Sequence, residues 1–129
     1  MIGTYMGKFI SCVSAEDKLA HYISYMAAEI GFPIEAKTGV YSSDSTPFAD
    51  SGIPALSFAR IASSNVAPIH CRYDVKDVMS MEQLQWDIDF LVKFTERFAN
   101  AAVCPVAREI PEKIKKELDE YLARKRKEQ

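Results

Sequence analysis

The sequence predicts an α/β fold, a partial sheet flanked by helices, and three observations carry that expectation. Residues 4–40 read as strand, helix, strand, the order of an α/β crossover. The run Leu56-Ser57-Phe58-Ala59-Arg60, apolar and bounded by turn residues, has the length of a buried strand. Beyond Ser80, Leu84, Ile88, Leu91, Thr95 and Phe98 recur at helical spacing, so a long helix follows.

Taken in order, residues 4–13 are rich in β-branched and aromatic types and form the first strand, with a bend at Gly7. Ser14-Ala15-Glu16-Asp17 has the form of a capping box, with Ser14 at the N-cap and acidic groups where the helix dipole favours them. Leu19, Ile23, Met26 and Ile30 then trace a helix over residues 15–30, which Gly31 closes. Over 33–40, Ile34, Ala36, Thr38 and Val40 alternate with the period of a half-buried strand. Small polar residues at 42–46 are broken by Pro47 and lead into a helical turn through Phe48-Ala49-Asp50, stopped by Gly52.

The next strand begins near Ala55, and a loop over 62–68 carries the chain to His70, Pro68 holding its neighbourhood extended. Ser80-Met81-Glu82-Gln83 is a second capping box. Trp86, Phe90 and Phe94 widen the apolar face of its helix, which is expected to reach residue 102 and to be largely buried. Past Cys104-Pro105 the chain carries charges of both signs. Pro111 suits a first helical position, and Ile114, Leu118 and Tyr121 or Leu122 give a narrow apolar stripe that ends in a solvated basic run at 124–127. Residues 1–103 are thus expected to form one domain, with 104–129 a separate amphipathic helix packed on it or extending from it.

A chain of 129 residues, 48% hydrophobic, can bury one modest core. Its formal net charge of -2 provides no general field for nucleic acid or an anionic membrane, so neither is an expected partner. No apolar run approaches the roughly 20 residues that a membrane span needs. The opening residues lack the charged and apolar regions of a signal peptide. Cys12, Cys71 and Cys104 are an odd count without metal-type spacing, which argues for reduced thiols and favours a cytoplasmic setting.

Two constellations carry the chemistry. The first is Ser43-Asp44-Ser45-Thr46-Pro47-Phe48, leading into Gly52-Ile53-Pro54-Ala55; the second is Ile69-His70-Cys71-Arg72-Tyr73-Asp74. A histidine in a loop fed by a strand is placed where sheet-based enzymes keep ligands and catalytic groups. By itself His70 is either a loop side chain satisfied by hydrogen bonds or a metal ligand whose second nitrogen needs an acceptor. Asp74 is either that acceptor or the cap of its own turn. Asp44 either opens an Asx-type turn or lies on the rim of a site. Tyr41 packs at a strand end or leans its hydroxyl inward. Arg60 either meets a substrate carboxylate bidentately or closes a salt bridge. Cys71 lacks an orienting third group and is not read as a nucleophile. His21 is read as a surface or boundary side chain.

The strings SDSTPFADSGIPALSF and IHCRYDVKDVMS resemble the carboxyl-terminal signature of the M28 family of zinc aminopeptidases, S-D-x-x-P-F-x-x-x-G-I-P-A, then a strand, then H-x-x-x-D. Met1-Ile2-Gly3 is similar to the end of that family's N-x-D-M-x-G strand, so the resemblance covers residues 1–102. It implies a three-layer α/β/α arrangement with a partial mixed sheet flanked by helices, a fragment of a zinc-peptidase-like phosphorylase/hydrolase fold. His70 would be the last zinc ligand, with Asp44, Ser45, Tyr41, Arg60 and Asp74 binding substrate or supporting the ligand. The other ligands and the general base of the two-zinc site are expected upstream of this chain, and Met1 falls where the family has a ligand aspartate. Ser45 replaces the histidine many members carry, and a serine hydroxyl does not titrate near neutral pH.

The implied activity is removal of N-terminal residues from peptides, shared with a missing half. The chain alone is expected to be inactive, to bind zinc at most weakly at one site, and to self-associate or pair with that half. Two alternatives stand beside this reading: a non-catalytic interaction module on the same fold, and a zinc enzyme like glutaminyl cyclase.

Overall fold

The computed structural model describes residues 3–4, 7–62 and 69–127. Met1-Ile2, residues 5–6 of the first expected strand, the loop at 63–68 with Pro68, and the side chains of the basic run at 124–127 lie outside what is described. The elements are β1 (Lys8–Ser14), α1 (Asp17–Glu29), β2 (Glu35–Thr38), α2 (Ser45–Asp50), β3 (Ala55–Ile61), a 3-10 turn (Lys76–Val78), α3 (Met81–Ala99) and α4 (Glu112–Lys127). The three strands form one mixed sheet in the order β2-β1-β3. Parallel pairing sets Ile10 against Glu35 on β2, and antiparallel pairing sets Lys8 against Ile61 on β3. Strand, helix and parallel strand over β1, α1 and β2 form the expected crossover.

β1 starts later than the composition of 4–13 indicates, because the chain bends at Gly7. There φ is +123°, and an added Cβ would stand 2.2 Å from the Ile61 carbonyl oxygen. Thr4 is held apart from the strand in an isolated bridge to Met79. Ser14 is not the cap of α1. It is the last residue of β1, paired with Ala55, and its hydroxyl donates to the Gly39 carbonyl at 2.9 Å; Glu16 takes the N-cap position without a side-chain bond. The sheet register thus claims the serine that the local pattern offered to the helix. At the other end Gly31, at φ +72°, closes α1 as expected. The Phe32 N–H bonds the Ala27 carbonyl and the Gly31 N–H bonds the Ala28 carbonyl, the paired bonds of a Schellman turn. Ile30, read as part of the apolar stripe, is 38% exposed, and Ala20 and Ala27 are buried beside Leu19, Ile23 and Met26.

The main core lies on one face of the sheet. Phe9 and Val13 of β1 and Leu56 and Phe58 of β3 meet Leu19, Ile23 and Met26 of α1 and Phe90 and Phe94 of α3. Aromatic rings knit this layer: Phe32 stacks on Phe90 with centroids 4.3 Å apart, and Phe58 meets Phe94 edge-on at 5.3 Å. Such pairs add about 0.5–1.5 kcal/mol each beyond area burial.

α3 begins where its capping box predicts, the Ser80 hydroxyl accepting from the Gln83 N–H at 3.2 Å. Its buried line is Asp87, Phe90 and Phe94, one residue ahead of the expected Ile88, Leu91 and Thr95. Nor is the helix largely buried: Trp86 is 45% exposed, and Ile88 and Val92 also face out. Asp87 explains the rotation, because its carboxylate is drawn under the sheet by Arg60.

A smaller core of Ala49, Ile110, Ile114 and Leu118, with Val40 against it, joins α4 to α2. Pro111 stands one residue before α4, its carbonyl accepting from the Lys115 N–H at 3.0 Å. Near the helix end the Tyr121 hydroxyl meets Ser42 Oγ at 2.8 Å. Among the described residues, no helix is long and apolar enough to cross a membrane.

Candidate functional site

Alternation along β3 sends Leu56, Phe58 and Arg60 to the main core and Ala55, Ser57, Ala59 and Ile61 to the opposite side. Along the outer side of β3, the 41–45 turn, the strand itself and Ile69-His70 line an open cavity of about 810 Å³. Parts of the two sequence constellations therefore line one cavity, at opposite ends of a strand.

His70 is exposed and lines this cavity with a φ of 58°, the left-handed region that non-glycine residues seldom occupy. The Asp74 carboxylate stabilises the turn, its Oδ2 accepting the His70 backbone N–H at 3.0 Å. That bond closes the 70–74 turn through the His70 backbone and not through its imidazole. Asp44 occupies the N-cap position of α2 with φ -64° and ψ -8°, yet its side chain makes no capping bond. The Asx turn is therefore absent, and the carboxylate stands exposed on the cavity wall. Tyr41 also lines the cavity, and its carbonyl accepts from Thr46 Oγ1 at 2.9 Å, tying the turn to α2.

Ser45 is 7% exposed and belongs to a group the sequence reading missed. Its hydroxyl lies 2.7 Å from Ser43 Oγ and 3.0 Å from Ser57 Oγ, while Ser43 and Ser57 are 2.6 Å apart. Three hydroxyls, each with one proton and two lone pairs, close a triangle that pins the 43–45 turn to β3. The signal available was Ser57, a polar interruption in an apolar strand.

Arg60 does not belong to the cavity wall. Its side chain points to the other face of the sheet, where the residue is 4% exposed and Asp87 is fully buried. Nε lies 3.0 Å from Asp87 Oδ2, Nη1 donates to the Gly7 carbonyl at 2.8 Å, and the guanidinium sits 5.3 Å from the centre of the Phe9 ring. Asp87 also accepts the Gly3 N–H at 2.8 Å. The salt-bridge reading of Arg60 is the one observed: the guanidinium is spent on Asp87 and the Gly7 carbonyl, while Asp87 holds the Gly3 N–H. Asp87, alone between Trp86 and Ile88, was the unread partner.

Cys71 and His21 are exposed, and neither lines the cavity. Cys12, half-buried on β1, directs its thiol at the Gly39 carbonyl 3.5 Å away. Burial, with Glu117 adding to it, raises the pKa of this thiol, so it resists ionisation. The three cysteines are free.

Zinc needs three or four convergent donors for closed coordination. Among the described residues, no three His, Cys, Asp or Glu side chains converge in that way. The donor set present does not fit a zinc ion by itself, whatever His70 contributes. No protein-family model, curated protein or solved structure matches the chain.

Proposed function

We propose that this chain is the substrate-side portion of an M28-type zinc aminopeptidase domain, a three-layer fold completed by polypeptide it does not contain. One observation supports the reading above others: Asp44 and His70, from the two segments that resemble the family's signature, line a single cavity. In this reading His70 lends one imidazole to a metal site whose remaining ligands and general base come from elsewhere, and the 41–45 turn forms the wall against which a peptide rests. Alone, the chain binds zinc at most weakly and is inactive, because a single imidazole cannot enforce closed coordination. Three unpaired thiols suit a reducing, cytoplasmic setting.

The test is hydrolysis of aminoacyl anilides by the protein carrying this segment, with and without His70→Ala. Loss of a ligand should exceed the roughly 10–100-fold penalty of losing a ligand's supporting partner; unchanged hydrolysis overturns the assignment. Turnover of N-terminal glutamine peptides in place of anilides would favour the cyclase alternative. Calorimetry showing two submicromolar zinc sites in the isolated chain would refute its incompleteness.

An interaction module on the same scaffold is the second reading, favoured by the state of Ser45. Its hydroxyl closes a structural triangle, as expected of a wall that has lost a titrating group. H-x-D and E-E motifs encoded ahead of this segment would support the enzyme, and their absence the module.

A further inference from the structure

We infer that β3 is a docking edge on which an extended peptide adds as a fourth strand, lying in the cavity between Asp44 and His70. This rests on the reading of the cavity as a peptide site and deepens it by naming main-chain recognition as the means.

β3 is an edge strand, paired with β1 on one side and, among the described residues, with no strand on the other. Five consecutive residues, 55–59, line the cavity. Phe58 and Leu56 are half-buried, with their side chains packed on the main core, so the outer main-chain edge of the strand is the part assigned to the peptide. Ala55, Ser57 and Ala59, alternating with them, are small enough to let another backbone approach. An edge strand with accessible N–H and C=O groups is the template for strand addition.

Charge narrows the guest. Among the described residues, the cavity wall carries no lysine or arginine, and its ionisable groups there are Tyr41, Asp44 and His70. A phosphorylated or nucleic-acid ligand finds no counter-charge, whereas a neutral main chain needs none. Geometry favours a short peptide over a second copy of the chain. The seven residues of β3 extend ~23 Å at about 3.3 Å per residue. Antiparallel pairing of two β3 edges would drive the Tyr41 turn of each copy against the His70 turn of the other.

The experiment uses the full chain and acetyl-Thr-Val-Thr-Val-Thr-amide, beside a twin N-methylated at alternate amides. Because the amino terminus is blocked, the result does not depend on aminopeptidase activity. Amide exchange read by NMR should slow about tenfold or more within residues 55–59 when the parent peptide is added, and the twin should bind about tenfold more weakly. Equal binding of the two peptides, or no protection of 55–59 at saturating peptide, overturns the inference. Protection already present in the free chain and rising with chain concentration also overturns it, assigning the edge to a second copy. A chain that fails here while its protein cleaves anilides retains the peptidase reading and loses only this one.

Discussion

Arg60 and Asp87 illustrate how a side chain's role follows from what faces it. Both residue types are common at active sites, yet here each neutralises the other beneath the sheet and together they hold Gly3 and Gly7. Removing one partner leaves a buried charge unpaired. Asp87→Ala should therefore destabilise the chain by about 3–5 kcal/mol in urea unfolding, while an Arg60→Met, Asp87→Leu double variant should lose much less. A double variant as unstable as the single one would show that the pair adds more than mutual neutralisation.

Cys12 carries a second expectation at this scale. Its folded pKa is raised by burial, so its contribution to stability is fully present below the unfolded thiol's value, about 8.5, and is lost as pH rises through the higher folded value. Stability of the parent chain should fall more steeply in that alkaline window than that of Cys12→Ala. Iodoacetamide should modify the exposed Cys71 and Cys104 well before Cys12, as peptide mass mapping would reveal.

Two capping boxes of the same form, at Ser14 and Ser80, met different fates. At Ser80 nothing competed, so the hydroxyl caps α3, and Ser80→Ala should lower stability by about 1 kcal/mol. At Ser14 the β1–β3 register extended the strand one residue further and directed the hydroxyl to Gly39. Gly31 separates backbone from packing effects: an added Cβ meets nothing within 4 Å, so Gly31→Ala should lose only the left-handed preference, about 1 kcal/mol. Gly7→Ala should be far worse, because its Cβ strikes the Ile61 carbonyl and parts β1 from β3. Thermal denaturation of the pair would check the order, and equal losses would contradict it. The existence of these elements was legible from periodicity. The rotation of α3 was not, since Leu84, Ile88 and Leu91 formed as regular a stripe as Gln83, Asp87 and Phe90 until Arg60 chose between them.

Across the whole molecule, one face of the sheet is closed by aromatic packing, while α3 keeps apolar side chains turned outward, with Met81 at 77% and Val92 at 48% exposure. Surfaces of this kind are covered in use. Sedimentation velocity should show association that weakens in an Ile88→Glu, Val92→Lys variant; a monomer at high concentration in both would count against it. By itself the sequence determined the α/β class, the crossover, the helix closed at Gly31, and the two polar segments flanking an apolar strand. Period, turn chemistry and glycine conformation act over a few residues and can be read there. Only the tertiary structure decided that Arg60 faces Asp87 and not the cavity, and that Ser57 joins Ser43 and Ser45 in a triangle. Those outcomes depend on which face of a strand meets which helix, a choice made by groups far apart in the chain.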